Sequence, residues 1–208
     1  MIEWVSQAHD LLIASDLKKS DVESAVREGL ETNRIRLRKG VVSFIDRLTN
    51  ANIPMIIFSA GIADVLEQVL KMETNMHSLP ENICVVSNRC MFGSDDKLKA
   101  FEDPVFHVFN KRGTSILETN AQFLERTDCA GRKSLILLGD SLGDLTMADG
   151  LKGLSDTVLC VGFLNDRVDE RLEDYLSAYD VVIVGDPEFN VVNDFLFHQI
   201  VPDSLHHQ

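Results

Sequence analysis

The chain has 208 residues, of which 45% are hydrophobic and 25% are charged, and its formal net charge at pH 7 is −13. This length suits one domain of ordinary size, or a core domain with a small appendage, and the composition is typical of a globular protein. The acidic excess argues against general electrostatic binding to nucleic acid or to an anionic membrane. An anionic substrate would need a local cation or a bound metal.

The first fifth of the chain is predicted to be helical. Apolar residues recur at helical spacing near the amino terminus, at Trp4, Val5, Ala8, Leu11 and Leu12. On this helix we interpret Trp4 as a core residue and His9 as a partly exposed one. Ser20 and Glu23 have the spacing of a capping box, which predicts a second helix running towards Gly40. A third, short helix is predicted around Phe44, Ile45 and Leu48.

After Pro54 the pattern changes to strands that alternate with helices. Short apolar runs predict strands at PMIIFS, ICVVS, SLILLGD, TVLCVGFL and DVVIVGD, with a weaker signal at VFHVFNK. Helical patterns occur in AGIADVLEQVLKM, Thr114–Leu124 and DRVDERLEDYLSAY, and Phe189–Ile200 is amphipathic. Continuous apolar strands between helices predict a mostly parallel α/β sheet that is covered on both faces.

Two aspartates follow the strand SLILLG. In parallel sheets, ligands bind beyond the carboxyl ends of the strands, so Asp140 and Asp144 are candidates for a site. Two carboxylates at a strand end suit a hard cation such as Mg²⁺. Aspartates are also common as turn and helix-capping residues where a strand meets a helix. On spacing alone both interpretations stay open.

Two further strand ends carry polar groups. Ser59, Ala60 and Gly61 are predicted to end a strand and open a helix, which would direct a hydroxyl and backbone N–H groups at an anion. Ser59 could equally be a simple N-cap. Lys111 follows the weak strand signal, so its ammonium group could reach a phosphate, although most lysines are solvated surface groups.

In chain order, strand-Ser-Ala-Gly, the strand-proximal Lys and Gly-Asp-x-x-Gly-Asp resemble the second, third and fourth motifs of the haloacid dehalogenase superfamily of phosphohydrolases. Longer segments resemble the cytosolic 5′-nucleotidase III family, the pyrimidine and 7-methylguanosine monophosphate nucleotidases: MIEWVSQAHDLL, IPMIIFSAGIADVLEQVL, VVSN, HVFNK, ILLGDSLGDLTMADG and VGFLNDRVDERLEDYLSAYDVV. The resemblance implies an α/β, haloacid-dehalogenase-like Rossmannoid parallel sheet with a partial helical cap. Residues 1–40 would be the carboxyl-terminal part of that cap, and 41–208 the core without its first strand.

The resemblance also implies a chemistry: Mg²⁺-dependent hydrolysis of nucleoside 5′-monophosphates, in two steps through an aspartyl-phosphate. The Ser59 hydroxyl and the following amide would hold phosphate oxygens. Lys111 would stabilise the nucleophile and the phosphoryl group, and Asp140 would ligate Mg²⁺. Asp144 would orient Lys111 or the waters of the metal.

The nucleophile of that mechanism is missing from these residues. The first motif of the superfamily, DxDxT, does not occur in the 208 residues, and the aspartate pairs in GDPEFN and NDRVDE do not match it. We interpret the chain as a fragment, a short isoform or a gene model that starts at an internal methionine. We expect it to have little or no phosphatase activity alone, and to fold poorly unless the missing strand is supplied.

The indications for the preferred nucleobase and for the cellular location are weaker. Ala8 stands where the pyrimidine-preferring branch of the family tends to carry a substrate-contacting serine, which favours the 7-methylguanosine branch, but Val5 replaces a usual aromatic residue, so the base stays open. The alternatives are a catalytically dead nucleotide- or partner-binding module, and a phosphatase for another small phosphomonoester.

Four cysteines without CxxC pairs and no leader or membrane-spanning run favour a cytoplasmic protein with reduced thiols. The oligomeric state is not indicated.

Overall fold

The computed structural model describes residues 2–108, 110–149, 156–185 and 188–197. Contacts between Cα atoms divide the chain into two compact units. The first unit comprises Met1–Leu37 and Met55–Asn110, and the second comprises Arg38–Pro54 and Lys111–Gln208. The boundary expected after residue 40 divides the chain differently and stays a prediction.

Two helices open the first unit, α1 (Ile2–Ala14) and α2 (Lys19–Glu31). The capping box expected at Ser20 and Glu23 is wrong, because Ser20 lies inside α2. Asp21 performs the capping instead, since its carboxylate accepts the backbone N–H of Lys18 at 2.9 Å. Helix α2 also ends well before Gly40, and the left-handed backbone of Asn33 (φ 54°) turns the chain away from the helix axis.

The buried face of α1 differs from the expected one. Trp4 is 71% exposed, whereas His9 is only 8% exposed and its ring stacks on Phe101 with centroids 3.7 Å apart. Val5 is buried beside His9 in the helical i, i+4 relation, and Trp4 lies about 100° away around the helix. The interpretation of Trp4 as a core residue and of His9 as partly exposed is therefore wrong.

A strand–helix–strand element forms the centre of the first unit. Strands β1 (Met55–Ile62) and β2 (Ile83–Asn88) pair in parallel, and α4 (Ala63–Thr74) connects them; the preceding helix, α3 (Val41–Asn50), belongs to the second unit. These three elements are where the sequence predicts them. However, Ser59–Gly61 lies within β1 rather than at the start of the helix, because the pairing with β2 resumes at Ile62 after an irregularity.

The end of the first unit contains a hairpin that the sequence analysis missed, β3 (Cys90–Phe92) with β4 (Leu98–Phe101). The strand predicted at VFHVFNK is wrong for the described part of that segment, which is loop and turn. Side-chain amides replace a strand partner there. The side-chain oxygen of Asn88 accepts the backbone N–H of Phe106 at 2.8 Å, and the side-chain amide of Asn110 donates to the Val105 carbonyl at 2.8 Å.

The second unit begins with α3 (Val41–Asn50), which lies as predicted. The helix expected over Thr114–Leu124 is two helices, α5 (Gly113–Thr119) and α6 (Ala121–Arg126), because Asn120 between them leaves helical geometry at ψ 31°. The last helix of the described residues, α8 (Asn190–Phe195), occupies part of the amphipathic segment, and residues 198–200 of that segment lie outside those residues.

Three parallel strands form the sheet of the second unit, in the order β5 (Ser134–Gly139), β6 (Thr157–Leu164), β7 (Val181–Val184). A 3₁₀ helix, Leu142–Ala148, follows β5, and α7 (Val168–Ala178) joins β6 to β7. The buried core on this sheet is formed by Leu137, Ala148, Leu164, Tyr175 and Tyr179. The predicted α/β class with parallel sheets is confirmed.

Two sequence-level expectations concern thiols and membranes. All four cysteines lie among the described residues and are thiols rather than disulfides. Across the described part of the chain, every helix is too short or too polar to cross a lipid bilayer.

Candidate functional site

The carboxyl end of β5 brings three of the predicted site residues together. Gly139 ends the strand, Asp140 follows it, and Asp144 lies in the 3₁₀ helix one turn later. Lys111, two residues before α5, donates from Nζ to Asp144 Oδ1 at 2.9 Å. The side chains of Lys111 and Asp144 are 14% and 6% exposed, so this ion pair is largely removed from water.

The second carboxylate oxygen of Asp144 organises the turn. Asp144 Oδ2 accepts the backbone N–H groups of Asp140 at 3.1 Å and Ser141 at 3.0 Å, and it lies 3.1 Å from the Ser141 hydroxyl, which donates to it. Asp144 therefore acts both as the partner of Lys111 and as a capping residue of the turn. The capping interpretation therefore describes Oδ2, while Oδ1 accepts from Lys111.

The two aspartates differ in how readily they ionise. Burial opposes ionisation of Asp144, but the hydrogen bond and charge of Lys111, with the donors of Ser141 and Asp140, outweigh it and hold its pKa below the usual value. Asp140 keeps solvent access, yet its carboxyl loses part of its hydration and faces the charge of Asp144, and both effects raise its pKa. A cation beside Asp140 would relieve this repulsion.

Tyr175 of α7 and Tyr179, the residue directly after α7, both contact the same turn. The Tyr175 hydroxyl donates to the Asp140 carbonyl oxygen, and the Tyr179 hydroxyl donates to the Ser141 carbonyl oxygen, each at 2.6 Å. Tyr179 has extended backbone geometry at the end of the helix, and its ring stacks on that of Tyr175 with centroids 5.5 Å apart. The sequence analysis missed them, although this i, i+4 pair is visible in EDYLSAY.

In the first unit, the end of β1 carries the other predicted group. The N–H of Gly61 donates to Ser59 Oγ at 3.0 Å. The Ser87 hydroxyl donates to the Gly61 carbonyl at 2.8 Å, and the buried Asn88 amide donates to the Ala60 and Gly61 carbonyls at 3.0 and 3.1 Å. These bonds fix the Ser59–Gly61 backbone with its carbonyls turned towards β2.

Ser87 and Asn88 are further residues that the sequence analysis did not single out. The available signal was the change from apolar to polar at the end of VVSN, on a strand that follows β1 in the chain. Ala8, the predicted substrate contact, is partly buried in α1, a helix that packs against β4. Its role stays a prediction.

The side chains at the end of β5 can be compared with the ligands that the predicted Mg²⁺ ion needs. The described residues contain no cluster of three or more His, Cys, Asp or Glu that could enclose a metal ion. The solvent-accessible Asp140 carboxylate, with its raised pKa, offers one hard oxygen donor. That is compatible with Mg²⁺, which keeps several waters and is commonly held by one or two carboxylates together with a substrate phosphate.

The fold is that of a haloacid-dehalogenase-like protein. The crystal structure of a probable phosphoserine phosphatase from Vibrio cholerae matches 96% of this chain, and 57% of its own, with a TM-score of 0.53 at 17% identity. This likeness shows the fold. The predicted haloacid-dehalogenase-like class is thereby confirmed.

Within this class, the chain can also be assigned to a family. A family model described as pyrimidine 5′-nucleotidase (UMPH-1) matches residues 1–201, and the chain belongs to that family. It is 39% identical to a human (Homo sapiens) and 41% identical to a chicken (Gallus gallus) 7-methylguanosine phosphate-specific 5′-nucleotidase, over 95% and 94% of its length. A crystal structure of cytosolic 5′-nucleotidase IIIB bound to cytidine matches 99% of it, with a TM-score of 0.82 at 30% identity.

The chain spans less than two thirds of these proteins: 62% of the human relative, 64% of the chicken relative and 64% of the crystallised chain. The resemblance read from the motifs is confirmed at the level of the family.

Proposed function

We propose that these residues serve the Mg²⁺-dependent hydrolysis of nucleoside 5′-monophosphates to nucleoside and phosphate. The observation that carries the proposal is the buried Lys111–Asp144 pair beside Asp140 at the end of a parallel strand, in a member of a 5′-nucleotidase family. A buried cation and a carboxylate at a strand end are among the groups that phosphoryl transfer needs.

Lys111 would stabilise the negative charge of the transferring phosphoryl group. Its ammonium has three N–H donors and gives one to Asp144, which leaves donors for phosphate oxygens. Because both side chains are largely shielded from water, the charge of Lys111 acts on a phosphate with little screening. Asp144 holds the lysine in place and stays ionised, as its lowered pKa requires.

The Ser59–Gly61 segment would bind phosphate oxygens. The bond from Gly61 uses Ser59 Oγ as an acceptor, so the hydroxyl hydrogen can be donated to an anion. The carbonyls of Ala60 and Gly61 are occupied by Ser87 and Asn88, which keeps these acceptors from facing a negatively charged ligand.

Asp140 would hold Mg²⁺ through its carboxylate. When bound, the ion would offset the charges of the carboxylates and of the substrate phosphate. The raised pKa of Asp140 supports this role, because the site disfavours its negative charge until a cation is present.

Hydrolysis through an aspartyl-phosphate needs a DxDxT segment in addition to these 208 residues, which contain none. If the protein acts without such a segment, its function would be the binding of a nucleotide or a partner without turnover. The base is left open between pyrimidines and 7-methylguanine. A cytoplasmic location is proposed from relatives such as the Caenorhabditis elegans protein named putative cytosolic 5′-nucleotidase 3.

The test uses an extended version, in which a segment carrying the DxDxT motif precedes the 208 residues. Phosphate release from nucleoside monophosphates should require Mg²⁺ and should fall at least a hundredfold in Asp140→Asn. Asp156→Asn is the matched control, because this exposed aspartate precedes β6 at the opposite end of the sheet. Equal activity of Asp140→Asn and the control would overturn the metal assignment.

A further inference from the structure

We propose that Tyr175 and Tyr179 are positioning residues for Asp140, because their hydroxyls clamp the backbone of the turn that carries it. The inference rests on the proposed function, in which Asp140 holds the metal ion. Both tyrosines are buried, Tyr175 completely. The proposed hydrolysis itself assigns no role to either tyrosine, since both hydroxyls bond to backbone carbonyls.

All four backbone polar groups of Asp140 and Ser141 are hydrogen-bonded. The two N–H groups donate to the carboxylate of Asp144 on one side. The two carbonyl oxygens accept the hydroxyls of Tyr175 and Tyr179 on the other, each at 2.6 Å. A turn held through every donor and acceptor has few alternative conformations, so the Cα–Cβ bond of Asp140 is held in one direction.

A pair of glycines makes room for Tyr179. Gly139 of β5 and Gly162 of β6 are register partners, so the sheet lacks two adjacent side chains there. A Cβ atom at Gly162 would lie 2.6 Å from Tyr179 Cδ2, and one at Gly139 would lie 2.8 Å from the Tyr179 hydroxyl. The ring occupies this glycine slot, and through it the hydroxyl reaches the turn beyond the strand end.

The orientation of the Tyr175 hydroxyl is also fixed. Arg171 donates to the hydroxyl oxygen at 3.1 Å, and its guanidinium lies over the ring, 5.1 Å from the centroid. Because the oxygen accepts from Arg171, its own hydrogen is directed at the Asp140 carbonyl. Arg171 is in turn paired with Asp166 at 3.3 Å, so a chain of polar contacts leads to the turn.

The experiment compares Tyr175→Phe, Tyr179→Phe and the double variant with the parent protein in the extended version. Phenylalanine keeps each ring and removes only the hydroxyl. Ser177→Ala is the matched control, because that hydroxyl lies on the same helix and bonds to Glu173 of its own helix. Two quantities are measured: amide hydrogen exchange of Asp140 and Ser141 by NMR, and Mg²⁺ affinity by titration calorimetry. Thermal denaturation checks that each variant is folded.

We expect the double variant to speed exchange of both amides and to weaken Mg²⁺ binding about tenfold, each single variant to do so less, and Ser177→Ala to do neither. Unchanged exchange in a folded double variant overturns the clamp. Faster exchange with unchanged Mg²⁺ affinity overturns the positioning role. If Asp140→Asn leaves Mg²⁺ affinity unchanged in the parent, the proposed metal site is wrong, while the exchange rates still decide whether the clamp exists.

Discussion

At the level of single residues, the carboxylate of Asp144 has two roles. One oxygen of Asp144 holds the lysine and the other holds the turn after β5. The position of Asp144 after β5 was predictable from the sequence, whereas the strand predicted before Lys111 is loop and turn. Contact between Lys111 and Asp144 was one of two options, because the residues lie 33 positions apart and no local signal indicates that they meet.

Lys111→Met should destabilise the chain by about 3–5 kcal/mol, because it leaves the charge of Asp144 buried without its partner. Lys99→Met is the control, since the Lys99–Asp95 pair is similarly close but half exposed, and its loss should change stability little. Urea denaturation measures both. Equal losses in the two variants would show that the burial of the Lys111 pair has no energetic effect.

His9 should make stability depend on pH. Burial lowers its pKa below the usual 6.5, against a smaller opposing effect of Asp10, so the unfolded chain binds a proton more readily than the folded one. The free energy of unfolding should therefore fall as the pH drops below about 6.5, and level off once the folded-state pKa is passed.

His9→Phe keeps a ring against Phe101 and removes the titration, so this part of the pH dependence should disappear. His77→Gln, at an exposed position, should keep it. The measurement is urea denaturation between pH 5 and pH 8. A His9→Phe variant with the same pH dependence as the wild type would contradict the assignment.

At the scale of elements, strand prediction succeeded where an apolar run was long and covered on both faces, as in SLILLG and TVLCVGFL. It failed for β3 and β4, which have only three and four residues, too few for a pattern to emerge. It also failed at VFHVFNK, where the side chain of Asn88 forms two hydrogen bonds with the backbone of Phe106, 18 residues later in the chain. Long-range amide contacts of this kind cannot be read from local periodicity.

Asn88 should therefore be important for the stability of two segments at once. It bonds to the Ala60 and Gly61 carbonyls and exchanges two hydrogen bonds with Phe106. Asn88→Ala leaves these buried groups without partners and should cost about 2–3 kcal/mol, whereas Ser87→Ala loses one bond and should cost about 1 kcal/mol. Urea denaturation tests this, and a smaller loss for Asn88→Ala than for Ser87→Ala would contradict it.

At the scale of the whole molecule, each unit has a parallel strand with an open edge. Among the described residues β1 pairs only with β2, and β5 pairs with β6 on one side only. Parallel strands are usually buried within a sheet, and unpaired edges invite association with other strands. The fold class was predictable from the alternation of strands and helices, whereas the separate pairing of β1–β2 and β5–β6–β7 required the structure.

These open edges predict that the 208-residue chain is less stable than the extended version. We expect it to unfold at a lower temperature and to bind more of a hydrophobic dye such as ANS, because apolar strands are less well covered. Thermal denaturation and dye fluorescence measure this. A 208-residue chain that unfolds cooperatively at the same temperature as the extended version would contradict the prediction.

We propose that these residues supply the phosphate-binding, lysine and metal-binding groups of a nucleotidase, and that hydrolysis needs the nucleophile of a DxDxT segment in addition to them. The most direct measurement is phosphate release from cytidine, uridine and 7-methylguanosine 5′-monophosphates, with and without Mg²⁺, by the 208-residue chain beside the extended version. We predict turnover by the extended version alone, dependent on Mg²⁺ and lost in Asp140→Asn. Mg²⁺-dependent hydrolysis by the 208-residue chain itself would contradict the account, because one of its own residues would then have to act as the nucleophile.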